Sequence, residues 1–165
     1  MAHELITSYT FSGTQNSLDI TSIPTTYKDL QLIFKLKSVT SGYNLYPHIR
    51  FNSNSGSSNY FQMEMRASNG TDYYYQNLDS QLYLYGGETD SGKFTSGHLE
   101  LGDYNRDSGH SGLIAMTNSF WTSQSFFNIA EAVGDITSIQ VIADLSRTKY
   151  FSSDSKVWLY GIGEA

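Results

Sequence analysis

The sequence predicts an all-β protein, an antiparallel two-sheet sandwich that is jelly-roll-like in arrangement. Three observations carry that prediction. Asp29 to Lys37 sets Leu30, Leu32, Phe34 and Leu36 on one side of an extended backbone and Gln31, Ile33, Lys35 and Lys37 on the other, the period-2 pattern of a half-buried strand. Segments of the same kind recur at the roughly 8 to 12 residue spacing of sandwiches and barrels. Hardly any helical periodicity is present to cover an apolar sheet face, so a second sheet is the economical cover. The 165 residues fit one domain, residues 1–165, able to bury a core without metal or disulfide help.

Taken in order, Glu4 to Phe11 alternates and ends in the turn cluster Ser12 to Asn16, which predicts a first strand. Ser17 to Ile20 is a short edge strand before Pro24, whose fixed φ and missing donor turn the chain ahead of the Asp29 strand. Ser38 to Asn44 reads as a loop. Leu45 to Phe51 is extended again, with Pro47 confined to an edge or a strand start. Asn52 to Asn59 is a wholly polar run and reads as a solvated loop.

Tyr60 to Ala67 alternates between Tyr60, Gln62, Glu64 and Arg66 on one face and Phe61, Met63, Met65 and Ala67 on the other; the second set is the expected core face. Asn69-Gly70 is the preferred two-residue hairpin dipeptide, and it leads into the aromatic run Tyr73-Tyr74-Tyr75. Gln81 to Tyr85 is a short strand, Gly86 to Gly97 a glycine-rich loop, and strands at His98 to Leu101 and Ser111 to Asn118 bracket a further loop. Trp121 to Ile129 is aromatic and extended, with Asn128 to Val133 the one plausible helical turn. Ile136 to Leu145 alternates imperfectly, as a bent or bulged strand would. In the last strand, Lys156 to Ile162, Val157, Leu159 and Gly161 lie opposite Trp158, Tyr160 and Ile162. The expected core comprises Leu30, Leu32, Phe34, Leu36, Phe61, Met63, Val141 and Leu159.

Composition narrows the function. The formal charge is -6, from 10 Lys+Arg against 16 Asp+Glu, and the basic residues are scattered, which argues against nucleic-acid binding and against an anionic membrane surface. With no cysteine, neither a disulfide framework nor a thiolate metal site can form. No apolar run approaches the roughly 20 residues of a membrane-spanning helix, and no signal peptide is visible at the N-terminus; a soluble chain is expected.

No catalytic constellation emerges. Gly87 to Lys93 has the spacing of a phosphate-binding loop, but Phe94 stands where Ser or Thr should hold Mg²⁺, and Glu88 and Asp90 would repel phosphate. Asp107, Ser108, Gly109, His110 and Ser111 bring Ser, His and Asp together as loop neighbours, which suits a turn better than a triad assembled on rigid elements. Asp103, Asn105 and Asp107 resemble the start of a calcium loop without its sixth-position Gly or its twelfth-position Glu. His3, His48 and His98 share no metal-ligand spacing. The chain is expected to be neither an enzyme nor a cofactor or metal protein.

Tyrosine-rich polar surfaces bind proteins and sugars through flat faces and hydroxyls. Tyr73, Tyr74, Tyr75, Tyr83, Tyr85 and Trp121 are therefore candidate interface residues, with a place in the core as the alternative. For a glycan, Tyr74, Tyr83 and Trp121 would serve as stacking platforms.

Three segments taken together carry a resemblance: Ile23-Pro24-Thr25-Thr26-Tyr27-Lys28-Asp29-Leu30, the loop Phe51 to Tyr60 with Asn52 and Gly56, and the ending Ser155-Lys156-Val157-Trp158-Leu159-Tyr160-Gly161-Ile162. Their order and spacing resemble a group of tailed-bacteriophage virion proteins, and Ile136-Thr137-Ser138-Ile139 fits that group's penultimate strand. The resemblance implies a jelly-roll-like β-sandwich displayed on the particle and made in the host cytoplasm. A capsid decoration (cement) protein is the leading expectation: a homo-oligomer, expected to be a trimer, binding the major capsid protein of the same phage. A tail or head-fibre module binding a receptor or glycan is the alternative. The group has no catalytic residues to transfer.

Overall fold

The computed structural model describes residues 3–39, 47–68, 71–84, 93–105, 109–117, 121–130, 133–145 and 148–163. Among them are β1 (His3–Thr10), β2 (Ser17–Ile20), β3 (Asp29–Leu36), β4 (His48–Phe51), β5 (Tyr60–Ser68), β6 (Thr71–Asp79), β7 (Leu82–Tyr83), β8 (Thr95–Gly102), β9 (His110–Thr117), β10 (Trp121–Ile129), β11 (Ile139–Ile142) and β12 (Lys156–Ile162). They form two antiparallel sheets, one of eight strands in the order β1-β12-β3-β8-β9-β10-β5-β6 and one of four in the order β2-β11-β4-β7. The all-β two-sheet sandwich expected from the sequence is what forms, with unequal sheets.

β3 sits inside the larger sheet between β12 and β8, and its alternation holds: Leu30, Leu32, Phe34 and Leu36 are buried, while Lys35 is exposed. These side chains, with Leu99 and Leu101 of β8, Ile114 of β9, Phe127 of β10 and Val157 and Leu159 of β12, meet Leu18, Ile49, Phe51 and Val141 from the smaller sheet in one apolar cluster. Burying such side chains is the main favourable term in folding.

β5 reverses the expectation. Tyr60, Gln62 and Glu64 face inward and are buried, whereas Met63 and Met65 are exposed and Phe61 is half-buried. Phe61 and Met63 are therefore not core residues. The cause is the layer that β5 meets: its inner face lies opposite β7, where polar partners wait. The Gln62 amide donates to the Tyr83 carbonyl and accepts from the Tyr83 backbone N–H, both at 2.8 Å, so it serves β7 as a neighbouring strand would.

Other boundaries shift for local reasons. β10 stays extended through Ile129, so Asn128 and Ile129 are not helical; a single tight turn remains, Val133 N–H donating to the Ala130 carbonyl at 3.0 Å. Thr95 to Gly97 belong to β8 rather than to a loop, paired with β3 and β9. Ordered pairing in β11 is confined to Ile139–Ile142, and buried Ile136 lies ahead of it, which is why Ile136 breaks the alternation. Pro47 precedes β4 and supplies a carbonyl to Leu84 N–H at 2.9 Å. Ser68 pairs with Thr71, the two-residue connection expected for the Asn69-Gly70 hairpin; Asn69 and Gly70 themselves lie outside the described residues, as do Thr40 to Tyr46 and Tyr85 to Gly92.

The segments that carry the phage resemblance meet one another. Asn52, with φ at 51° in the left-handed region that Asn tolerates, donates through its amide to the carbonyls of Val133 (2.9 Å) and Asp135 (2.6 Å). It accepts from the backbone N–H groups of Thr137 (2.9 Å) and Ser138 (3.1 Å). Asn52 is thus a latch, not part of a loop that only faces solvent. The Tyr60 hydroxyl closes the same loop by accepting from Phe51 N–H at 3.0 Å. Ile23 N–H donates to Thr137 at 3.1 Å, and the Tyr104 hydroxyl donates to the Pro24 carbonyl. A Cβ at Gly161 would collide with the Tyr27 ring, so the first and last of these segments stack only because residue 161 has no side chain. The residues of the resemblance tie the ends of the sandwich together.

Candidate functional site

The smaller sheet packs on the inner face of the larger one, and among the described residues no second layer covers the larger sheet's outer face. Register fixes its rows. Leu113, Phe126, Met63 and Gln76 align across β9, β10, β5 and β6; so do Ala115, Gln124, Met65 and Tyr74, and so do Ser111, Asn128, Phe61 and Leu78. No Asp, Glu, Lys, Arg or His occupies any of these twelve positions. Continued through β8 and β3, the same rows reach His98 and Ile33, Glu100 and Gln31, and Gly102 and Asp29. The face therefore has a charged half over β3 and β8 and an uncharged half, the three rows over β9, β10, β5 and β6; the next row toward the hairpin, Thr117, Thr122, Ala67 and Asp72, ends in an exposed carboxylate.

The uncharged half is apolar and open: Met63 is 49 % exposed, Met65 40 %, Phe126 54 %, Leu78 62 % and Tyr74 75 %. Opposite it, on the inner side of the same strands, Ser125, Gln62 and Glu64 are buried. At the middle of β5 and β10 the described side chains are thus polar inside and apolar outside, with Tyr60, Phe127 and Ile129 joining the core at the far end. A single exposed Leu needs no explanation, but contiguous exposed apolar side chains mark an interaction surface. Where the two halves of the face join lies a cleft of about 610 Å³ whose lining includes Asp29, Glu100, Ser111, Phe126 and Asn128.

A second cluster lies between the sheets. The Tyr83 hydroxyl donates to Asp79 Oδ2 at 2.6 Å and accepts from the Gln81 amide at 3.1 Å, while Arg50 Nη2 donates to Gln81 Oε1 at 2.8 Å. Burial alone would raise the Asp79 carboxyl, but hydrogen bonds from the Tyr83 hydroxyl and from Ser80 outweigh it and hold Asp79 below the usual range. The His48 ring packs edge-on to Tyr83, centroids 4.7 Å apart. Burial pushes its pKa down to about 4, and the Arg50 guanidinium adds to the fall. These contacts tie β4, β6 and β7 together between the sheets.

Of the sequence-predicted interface residues, Tyr74 and Tyr83 have described side chains, and these lie on different faces. Tyr74 stands on the open face, on edge strand β6, whereas Tyr83 is half-buried in the inter-sheet cluster. Tyr73 and Tyr75 belong to β6 and Trp121 to β10, with backbone pairing to Arg66, Glu64 and Ser68; their side chains, and all of Tyr85, lie outside the described residues. Met63, Met65, Leu78 and Phe126 were not anticipated as surface residues. The missed signal was Gln62 and Glu64 beside Tyr60: two large polar side chains sharing a strand face with a tyrosine whose hydroxyl is bonded inward.

The loop motifs resolve into structure. His110 is buried with both ring nitrogens against backbone carbonyls, of Asp103 at 3.2 Å and Gly134 at 2.9 Å, while Ser111 is exposed; Asp107 and Ser108 lie outside the described residues. The Asn105 amide donates to the Thr25 carbonyl at 3.1 Å, and Asp103 N–H donates to Asp29 Oδ1 at 3.0 Å. Of the phosphate-loop spacing, Gly87 to Gly92 lie outside the described residues; Phe94 carries the Lys35 ammonium 3.9 Å above its ring.

No protein-family model, curated protein or solved structure matches this chain.

Proposed function

We propose that this chain is a structural protein of a tailed-phage virion, a capsid decoration protein that binds the major capsid protein and stabilises the shell, and that acts as a homo-oligomer, a trimer. The observation that carries the reading is the open apolar face over β9, β10, β5 and β6, whose three central rows hold no charged residue in a chain of net charge -6. A protein whose task is contact exposes such a face and buries it on assembly. Many equivalent contacts on a lattice convert a modest single-site affinity into durable binding. The polar cluster around Tyr83 supports no reaction, and the phage resemblance of the Ile23, Phe51 and Ser155 segments points the same way. The decisive experiment is immunogold labelling of purified phage particles with an antibody against this chain. Gold over the shell is the expected result; gold confined to the tail overturns decoration, and unlabelled particles overturn the virion reading.

The cleft favours a second reading, a glycan-binding module of a tail or head fibre. There the exposed Phe126 ring is a stacking surface, and Asn128, Ser111, Glu100 and Asp29 could meet sugar hydroxyls. A glycan array without hits removes it.

A further inference from the structure

We propose that copies of this chain assemble with one another through the uncharged half of the open face, over β10, β5 and β6, so that the second copy covers the outer side of the larger sheet while the smaller sheet covers its inner side. Matching faces meet about a two-fold axis, so this contact builds a dimer; it rests on the self-association of the proposed function but not on its trimeric count, and it does not depend on where in a virion the assembly sits.

Two physical arguments select a second copy as the occupant. The first is area. From their fractional exposures, Met63, Met65, Tyr74, Leu78 and Phe126 together present roughly 600 Å², and the flanking Phe61, Leu113 and Gln124 bring the patch close to the ~800 Å² per partner of a stable, specific interface. The second is charge. Two copies of a chain of net charge -6 repel, so they can touch only where neither presents carboxylates, and the twelve aligned positions over β9, β10, β5 and β6 carry none. A cationic partner would instead be drawn to the charged half of the face, where Glu100 and Asp29 stand. β6 completes the case. It is the terminal strand of the larger sheet, so alternate backbone N–H and C=O groups along it point away from β5. It has no Pro, Lys or Arg between Thr71 and Asp79 to discourage pairing. The face is therefore continuous with an open sheet edge.

Sedimentation across a 100-fold concentration range tests this, on the wild-type chain and on Phe126→Lys, Leu78→Lys and Ser96→Lys, each checked for folding by circular dichroism. The wild-type chain and Ser96→Lys, which adds charge to the already charged half, are expected to sediment as the same oligomer. Phe126→Lys and Leu78→Lys are expected to weaken association by roughly 30- to 100-fold, since each buries an unpaired charge at the centre or edge of the contact. A wild-type chain that stays monomeric throughout overturns the proposal, as does a folded Leu78→Lys or Phe126→Lys chain that keeps the wild-type mass. Should Phe126→Lys fail to fold, Leu78→Lys and the wild-type dilution series decide alone. A monomer that nevertheless labels phage shells overturns self-association and leaves the virion reading standing. An oligomer disrupted as expected but absent from particles does the reverse.

Discussion

β3 and β5 are neighbours in kind and opposites in outcome. Both alternate cleanly, and both lie inside the eight-stranded sheet. In β3 the apolar set is buried among Leu99, Leu159 and Ile49; in β5 the apolar set, Phe61, Met63, Met65 and Ala67, faces outward while Gln62 and Glu64 are buried. Alternation states that a strand has two faces. Which face goes inside is decided by the opposing layer, apolar opposite β3 and polar opposite β5.

The sharpest way to break that comparison is to truncate the inward side of β3. Phe34→Ala removes a fully buried ring from the middle of the cluster, and the expected cost is about 3 to 5 kcal/mol. Chemical denaturation reads it directly. A loss under 1 kcal/mol would mean that β3 is not the centre of the core.

Next in size is the latch between the end of β4 and the segment ahead of β11. Asn52→Ala deletes two donated and three accepted hydrogen bonds, leaves the Val133 and Asp135 carbonyls without the Asn52 donor, and places Ala at a positive φ. A loss of about 2 to 4 kcal/mol is expected in the same denaturation experiment. Asn52→Asp, which keeps the acceptor and lacks the donors, should fall between Ala and wild type.

These two sites also show what could be read in advance. The β3 face, the β12 face and the order of strands followed from period-2 alternation and turn clusters, because those signals are local. The Asn52 latch, the Tyr27 ring over Gly161 and the inversion of β5 each depend on residues tens of positions away: Asn52 on Thr137, Tyr27 on Gly161, Gln62 on Tyr83. Local pattern cannot state which distant segment arrives opposite a given face. The open face was hidden for the same reason, since Met63 reads as core until the Gln62 contacts with Tyr83 turn the other side of β5 inward. The sequence left the tyrosines open between core and surface; Tyr74 stands on the open face, while Tyr83 is occupied by Asp79, Gln81 and the His48 ring.

The polar interior opposite β5 makes that end of the sandwich sensitive to acid in a way the β3 end is not. His48 is neutral in the folded chain, with its pKa lowered to about 4 from the usual 6.5 by burial and by Arg50, and partly restored by Asp144 and Asp79. A lowered pKa means that the unfolded chain binds the proton first. Stability from this site is therefore full above about pH 6.5 and is lost as pH falls toward 4, by about 2 to 3 kcal/mol at pH 4.5. The Asp79 carboxyl, held low by Tyr83 and Ser80, adds a loss of the same sign at still lower pH. Denaturation at pH 7.5 and pH 4.5 should show the fall in the wild-type chain and a shallower one in His48→Gln; equal slopes would remove His48 as the cause.

The smallest expected effect completes the comparison with Phe34. Met63→Gln alters a residue whose sequence pattern matches that of Phe34 but whose side chain is half in water. Little apolar burial is lost in the isolated chain, and Gln keeps the unbranched shape and fits between Phe126 and Gln76. Stability of the dilute, dissociated chain should therefore stay within about 0.5 kcal/mol of wild type. At high concentration the same substitution removes an apolar contact from the shared face, so the melting temperature of the wild-type chain should rise with concentration more steeply than that of the variant. A Met63→Gln chain that loses several kcal/mol when dilute would put Met63 back in the core. The two faces of β5 would then have to be exchanged, and with them the surface on which assembly is argued.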